Sequence, residues 1–151
     1  MNQALLRQMA NERILDAAAL LAGKRWAFAY YVAGYAVECA LKSCILARMI
    51  LTGGVFKEKK FAERCFTHDF AELVDLAGLK PELDAKFAAS AAAAAAAGGP
   101  PGGAFAFNWG VAIQWKETSR YESRTEPEAV ALHAAITADP DGVLQWVQNF
   151  W

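Results

Sequence analysis

The 151 residues suffice for one domain with its own core, and a hydrophobic content of 56% excludes a disordered chain. A formal charge of −1 leaves no overall field to attract nucleic acid, so any such contact must be a local patch. The opening MNQALLRQMANERILD has no continuous apolar run or cleavage site, so no signal peptide is read there and a cytoplasmic protein is expected.

A first helix is expected from about Asn2 to Ala22, with Leu6, Ala10, Ile14, Ala17 and Leu21 facing inward. Gly23 ends it, and the short connection that follows makes the next helix an antiparallel neighbour. That next helix, Lys24 to Leu51, is the centre of the chain. No charge occurs between Trp26 and Val37, and no proline interrupts it before Gly53 and Gly54. One stripe runs Ala27, Tyr31, Gly34, Glu38, Leu41, Ile45, Met49; a second runs Tyr30, Ala33, Val37, Ala40, Cys44. Two stripes mean a rod of roughly 40 Å covered on most of its circumference. It is long enough to span a bilayer, but Glu38, Lys42 and Arg48 would each cost about 2.5–3.5 kcal/mol in mid-span, so a membrane is excluded as a partner.

Glu38 shares the Tyr31–Gly34–Leu41 stripe and is expected to face inward, where a carboxylate must be paired or hydrogen-bonded. Lys42, one turn on, can pair with it. Two readings stand: a structural ion pair, or a polar site lining a cleft. Cys39 and Cys44 point to different sides of this helix, and with Cys65 they read as reduced core thiols, neither a disulfide nor a zinc site.

The segment TGGVFKEKKFAERCFTHD, with Lys57, Lys59, Lys60 and Arg64 against Glu58 and Glu63, reads as a solvated loop. A helix then starts between Thr67 and Asp69, where Asp69 and Glu72 have capping-box spacing; Phe70, Leu73, Val74 and Ala77 form its apolar face and Gly78 stops it. Pro81 opens another helix anchored by Leu83 and Phe87. The alanines of Ala88 to Ala97 favour helix but bury little, so the run projects or frays, and GGPPGG (Gly98 to Gly103) breaks it. Residues 88–104 are thus a flexible Ala/Gly/Pro insert in a single domain spanning 1–151.

Asn108 is placed as the cap of a short helix carrying Trp109, Ala112 and Ile113. The alternation Trp109, Val111, Ile113, Trp115 also fits a strand, but no partner strand is in view. Lys116 to Arg124 reads as polar loop. Thr125 and Glu128 form a second capping box with Pro127 in the first turn, on a helix whose apolar positions are Val130, Ala134 and Ile136. After a break at Asp139–Pro140, Val143, Leu144, Trp146, Val147 and Phe150 close the bundle.

No phosphate-binding glycine loop, nucleophile elbow or metal-ligand spacing is present, and no metal or cofactor is expected. The binding candidates are isolated polar groups in apolar contexts. They are Glu38, Lys42, His68, which caps, packs or donates to a carboxylate, and Arg120 with Tyr121; Arg64 and His133 are weaker. Arg120 is suited to phosphate or carboxylate, Tyr121 to stacking. An Arg120–Glu38 pair is the structural alternative.

Three blocks carry a resemblance: AYYVAGYAVECALKS (Ala29 to Ser43), THDFAELVDLAGL (Thr67 to Leu79) and NWGVAIQWKETSRYES (Asn108 to Ser123). In this order they resemble bacterial HEPN-domain proteins over most of the chain. The resemblance implies an all-α, up-and-down antiparallel bundle of four to six helices that forms a homodimer. It also implies a minimal nucleotidyltransferase as partner, in a toxin–antitoxin or defence-type system, with RNA or a nucleotide as ligand. Catalytic members are metal-independent ribonucleases with an Arg, four to six residues, then a His. Here Arg64 and His68 have three residues between them, Arg120 and His133 twelve, and Arg124 and His133 eight. The expectation is therefore a catalytically degenerate binding module; the alternative is an RNA endonuclease with an atypical Arg/His site.

Overall fold

The computed structural model describes residues 2–52 and 59–151. The described residues are all-helical: α1 Gln3–Ala22, α2 Trp26–Leu51, α3 Lys59–Arg64, α4 Phe70–Ala77, α5 Lys80–Ala96, α6 Gly103–Ala112, a 3-10 turn Glu117–Tyr121, α7 Glu126–Thr137 and α8 Val143–Gln148. These eight α-helices exceed the four to six expected. The excess consists of short pieces, and α3 lies where a loop was expected. Gly53 and Gly54, expected to stop α2, lie outside the described residues, as do Lys57 and Glu58. No helix among the described residues is long and apolar enough to cross a membrane.

The rod expected from Lys24 to Leu51 forms as α2. It packs against α1, α4, α7, α8 and the 3-10 turn, and it buries fourteen of its residues, including Val37, Ala40, Leu41 and Ile45. Asn2 caps α1 by accepting from the Leu5 backbone N–H at 2.8 Å. Asp69 caps α4 in the same way through the Glu72 N–H at 3.0 Å, and Gly78 ends it in the left-handed region at φ 72°. The expected box at α4 is half made, because the Glu72 carboxylate turns to Arg64 instead. At α7 the Thr125–Glu128 box closes, with Glu128 Oε2 accepting from the Thr125 N–H at 2.7 Å.

Two expectations are corrected, at Asn108 and on the face of α7. The alanine run, by contrast, forms the mostly exposed helix its propensity favours, as the end of α5, with Ser90 packed on α6. Ser90 is buried, its Oγ accepts from the Phe105 N–H at 3.2 Å, and Gly103 approaches so closely that a Cβ there would stand 2.3 Å from the Ser90 carbonyl oxygen. Small side chains here serve close approach between helices. Asn108 lies inside α6 and donates to the Asp141 carbonyl at 2.9 Å; Gly102 precedes the helix in its place. The buried face of α7 is Ala129, Leu132, Ala135 and Ile136, whereas Val130 is exposed. Ile113, just past the end of α6, is also exposed.

A ring cluster joins α5, α6 and α8. Phe87 meets Phe105 at 5.7 Å between centroids, Phe105 meets Trp146 at 5.7 Å, and Trp109 meets Trp146 edge-on at 5.9 Å. The other large ring, Trp115, sits across the molecule against α2, and it positions the site.

Candidate functional site: a polar chain rooted in the core helix

Gly34 leaves a gap on the surface of α2, and the Trp115 indole fills it. A Cβ on Gly34 would lie 2.3 Å from the ring, so no larger residue fits without displacing it. Trp115 Nε1 donates to the Tyr31 carbonyl oxygen at 3.1 Å, which satisfies its only polar atom. Its ring stacks on Phe70 at 5.2 Å and on Tyr31 at 6.2 Å. Phe70 opens α4, two residues after His68, and Trp115 precedes the 3-10 turn by two. One indole therefore pins both flanking segments to α2.

Glu38 lies one turn beyond Gly34, with only 3% of its surface exposed. A carboxylate so placed must be fully partnered. Lys42 Nζ donates to its Oε1 at 2.8 Å, and His68 Nδ1 meets its Oε2 at 2.9 Å. His68 Nε2 in turn lies 3.0 Å from Glu117 Oε2, and Arg120 Nη2 forms an ion pair with Glu117 Oε1 at 2.9 Å. The result is a chain, Lys42–Glu38–His68–Glu117–Arg120, running from the core to the surface. Lys116 lies 3.6 Å from Asp69 and adds a cation at the rim.

The sequence candidates Glu38, Lys42, His68 and Arg120 are thus brought together. The expected alternative pairing of Arg120 with Glu38 does not form; Glu117 and His68 stand between them. Tyr121 is exposed and carries the Arg120 guanidinium 4.7 Å over its ring. Arg64 and His133 belong elsewhere. Arg64 reaches Glu72 at 3.0 Å and Asp75 at 3.2 Å on the surface, and hydrogen bonds from Thr67 and Arg64 lower the Glu72 pKa. His133 sits on α7 near Ile14 of α1, and burial lowers its pKa below the ordinary value.

Glu117 was missed because it lies in a segment read as loop. A signal was present: Glu117 and Arg120 are three apart, and residues at i and i+3 eclipse on a 3-10 turn. Also missed was the aromatic stripe along α2. Phe28, Tyr31 and Tyr35, with Leu20, Arg13 and Arg25, line a groove of about 580 Å³ between α1 and α2. The Tyr31 and Tyr35 rings stack at 6.1 Å with 5° between planes. Tyr31 borders both regions, because its hydroxyl is within hydrogen-bonding reach of Arg120.

Two of the three expected core thiols are found in the core, whereas Cys65 is only half-buried. Cys39 and Cys44 are buried and unbridged, and burial pushes them up to about 11 and about 12. No protein-family model, curated protein or solved structure matches this chain.

Proposed function

We propose that the chain is a HEPN-like module that binds a nucleotide or RNA through the cluster of His68, Arg120 and Glu117. We further propose that it works as a homodimer beside a minimal nucleotidyltransferase in a toxin–antitoxin or defence-type system, without catalysis of its own. The observation that carries the reading is the Glu117 carboxylate, gripped at 3.0 Å by His68 and at 2.9 Å by Arg120. Side chains that hold one oxyanion in this way can hold another, and the arginine fork suits phosphate oxygens. Lys116 and Lys42 add positive charge on either side. The expectation of no catalysis rests on the Arg/His spacings, none of which matches the pair of the catalytic members, and both ring nitrogens of His68 face carboxylates. Exposed Leu15, Ile50, Leu51, Phe66 and Phe107 leave apolar surface for a second copy or a partner.

The same juxtaposition supports a second reading, a metal-independent RNA endonuclease. If Glu117 swings out, Arg120 faces the phosphate and His68 Nε2 faces the reacting oxygen.

One experiment separates these readings. Purified protein is incubated with RNA, and its melting temperature is followed with added ADP. The binding reading expects intact RNA and an upward shift that Arg120→Ala removes. Cleaved RNA, with cleavage lost in His68→Ala, would establish the endonuclease. No shift with any nucleotide and no RNA retention would leave a purely structural helical protein.

A further inference from the structure

We infer that the groove between α1 and α2 is a stacking site for the base of a nucleoside diphosphate whose phosphates extend past Tyr31 to Arg120. This rests on reading the polar chain as an anion-binding site.

Three observations carry it. First, Phe28 stands at the groove with 53% of its surface exposed, although an apolar ring of that size is ordinarily covered. It lies 5.9 Å from Tyr31, tilted by 32°, and Tyr31 stacks on Tyr35, so Phe28 is the ring of this stripe left largely open. Such a surface accepts a planar base of any sequence. Second, Arg25 lines the same groove with no ion pair among the described residues, whereas Arg13 beside it is tied to Asp16. An unmatched cation next to aromatic rings fits an anionic aromatic ligand. It fits a second copy of this chain less well, since at −1 the chain has no acidic excess to offer. Third, Tyr31 is a shared wall, with its ring in the groove and its hydroxyl within reach of Arg120. A base stacked on Phe28 with its charged end running past Tyr31 therefore reaches toward Arg120 and competes there with the Glu117 carboxylate.

The test is calorimetric titration of the full chain with ADP and, separately, with inorganic pyrophosphate, in wild type, Phe28→Ala, Phe28→Trp and Arg120→Ala. Phe28 is exposed, so its variants keep the fold, which an unchanged melting temperature verifies. Loss of one stacking face corresponds to a roughly 5- to 150-fold effect. The expected result is that Phe28→Ala weakens ADP at least fivefold and leaves pyrophosphate unchanged, Phe28→Trp retains ADP, and Arg120→Ala weakens both ligands. If Phe28→Ala binds ADP as wild type does while Arg120→Ala does not, the stacking site is overturned and the anion site stands. If Phe28→Ala instead converts a dimer to a monomer in light scattering, with ADP affinity unaffected, the groove is a subunit contact and the inference is equally overturned. If wild type binds neither ligand, the anion site falls, and the inference with it.

Discussion

Two networks near α4 join a basic side chain to two carboxylates, and they differ in depth. Arg64 bridges Glu72 and Asp75 where the three side chains are 49%, 36% and 65% exposed. His68 bridges Glu38 and Glu117, and Glu38 is 3% exposed. Water can replace every partner in the first network, so geometry there is a preference. Glu38 is shut off from solvent, so Lys42 and His68 are requirements there. Burial of one carboxylate thus fixes Lys42 and His68, and His68 carries the chain outward to Glu117 and Arg120 at the surface.

The largest expected effect tests how that path is assembled. Gly34→Ala places a methyl group where the Trp115 ring sits, with no flexible neighbour to yield. Overpacking of this kind costs about 3 kcal/mol, and urea denaturation should show it. The variant should also lose nucleotide binding, because the 3-10 turn is no longer held. Wild-type stability in Gly34→Ala would mean that Trp115 does not pin the turn.

Next comes the contrast between the networks themselves. Glu38→Ala leaves Lys42 and His68 without their shared acceptor and should destabilise by about 2 kcal/mol or more. Arg64→Ala should leave the denaturation midpoint within the scatter of replicate measurements. Equal effects from the two substitutions would erase the distinction between buried and exposed networks drawn above.

A smaller effect concerns His133, whose pKa burial lowers against the opposing pull of a hydrogen bond with the Ile14 backbone. Its folded pKa is lowered, so on acidification the unfolded chain takes up its proton first. Stability is therefore intact above the unfolded value, near 6.5, and is lost as pH falls below it. His133→Gln should flatten the stability profile between about pH 7 and 5, and an unchanged slope would refute the assignment.

Much of the scaffold was legible in the residues. A charge-free run with two apolar stripes can only be a covered rod, and the stripe containing Glu38 fixed its inward direction and its pairing with Lys42. Caps at Asp69 and Thr125 were equally legible, because their chemistry is local. The phase of α7 was not: on an alanine-rich helix several faces are almost equally apolar, and Val130 was taken for a core position that belongs to Ala129. The site was legible only in parts. His68 and Arg120 were singled out by residue type, yet the carboxylate joining them stood in a polar stretch whose 3-10 turn depends on Trp115 docking against Gly34. That contact spans most of the chain and leaves no periodic trace.

The central claim is that His68 and Arg120 act on one anion as a single clamp. A double-mutant cycle measured by ADP titration tests it most directly, using wild type, His68→Ala, Arg120→Ala and the double variant. The account predicts that either single variant removes most of the affinity and that the double variant is little worse, a departure from additivity of about tenfold or more. Losses that simply multiply would show two independent residues and contradict the clamp.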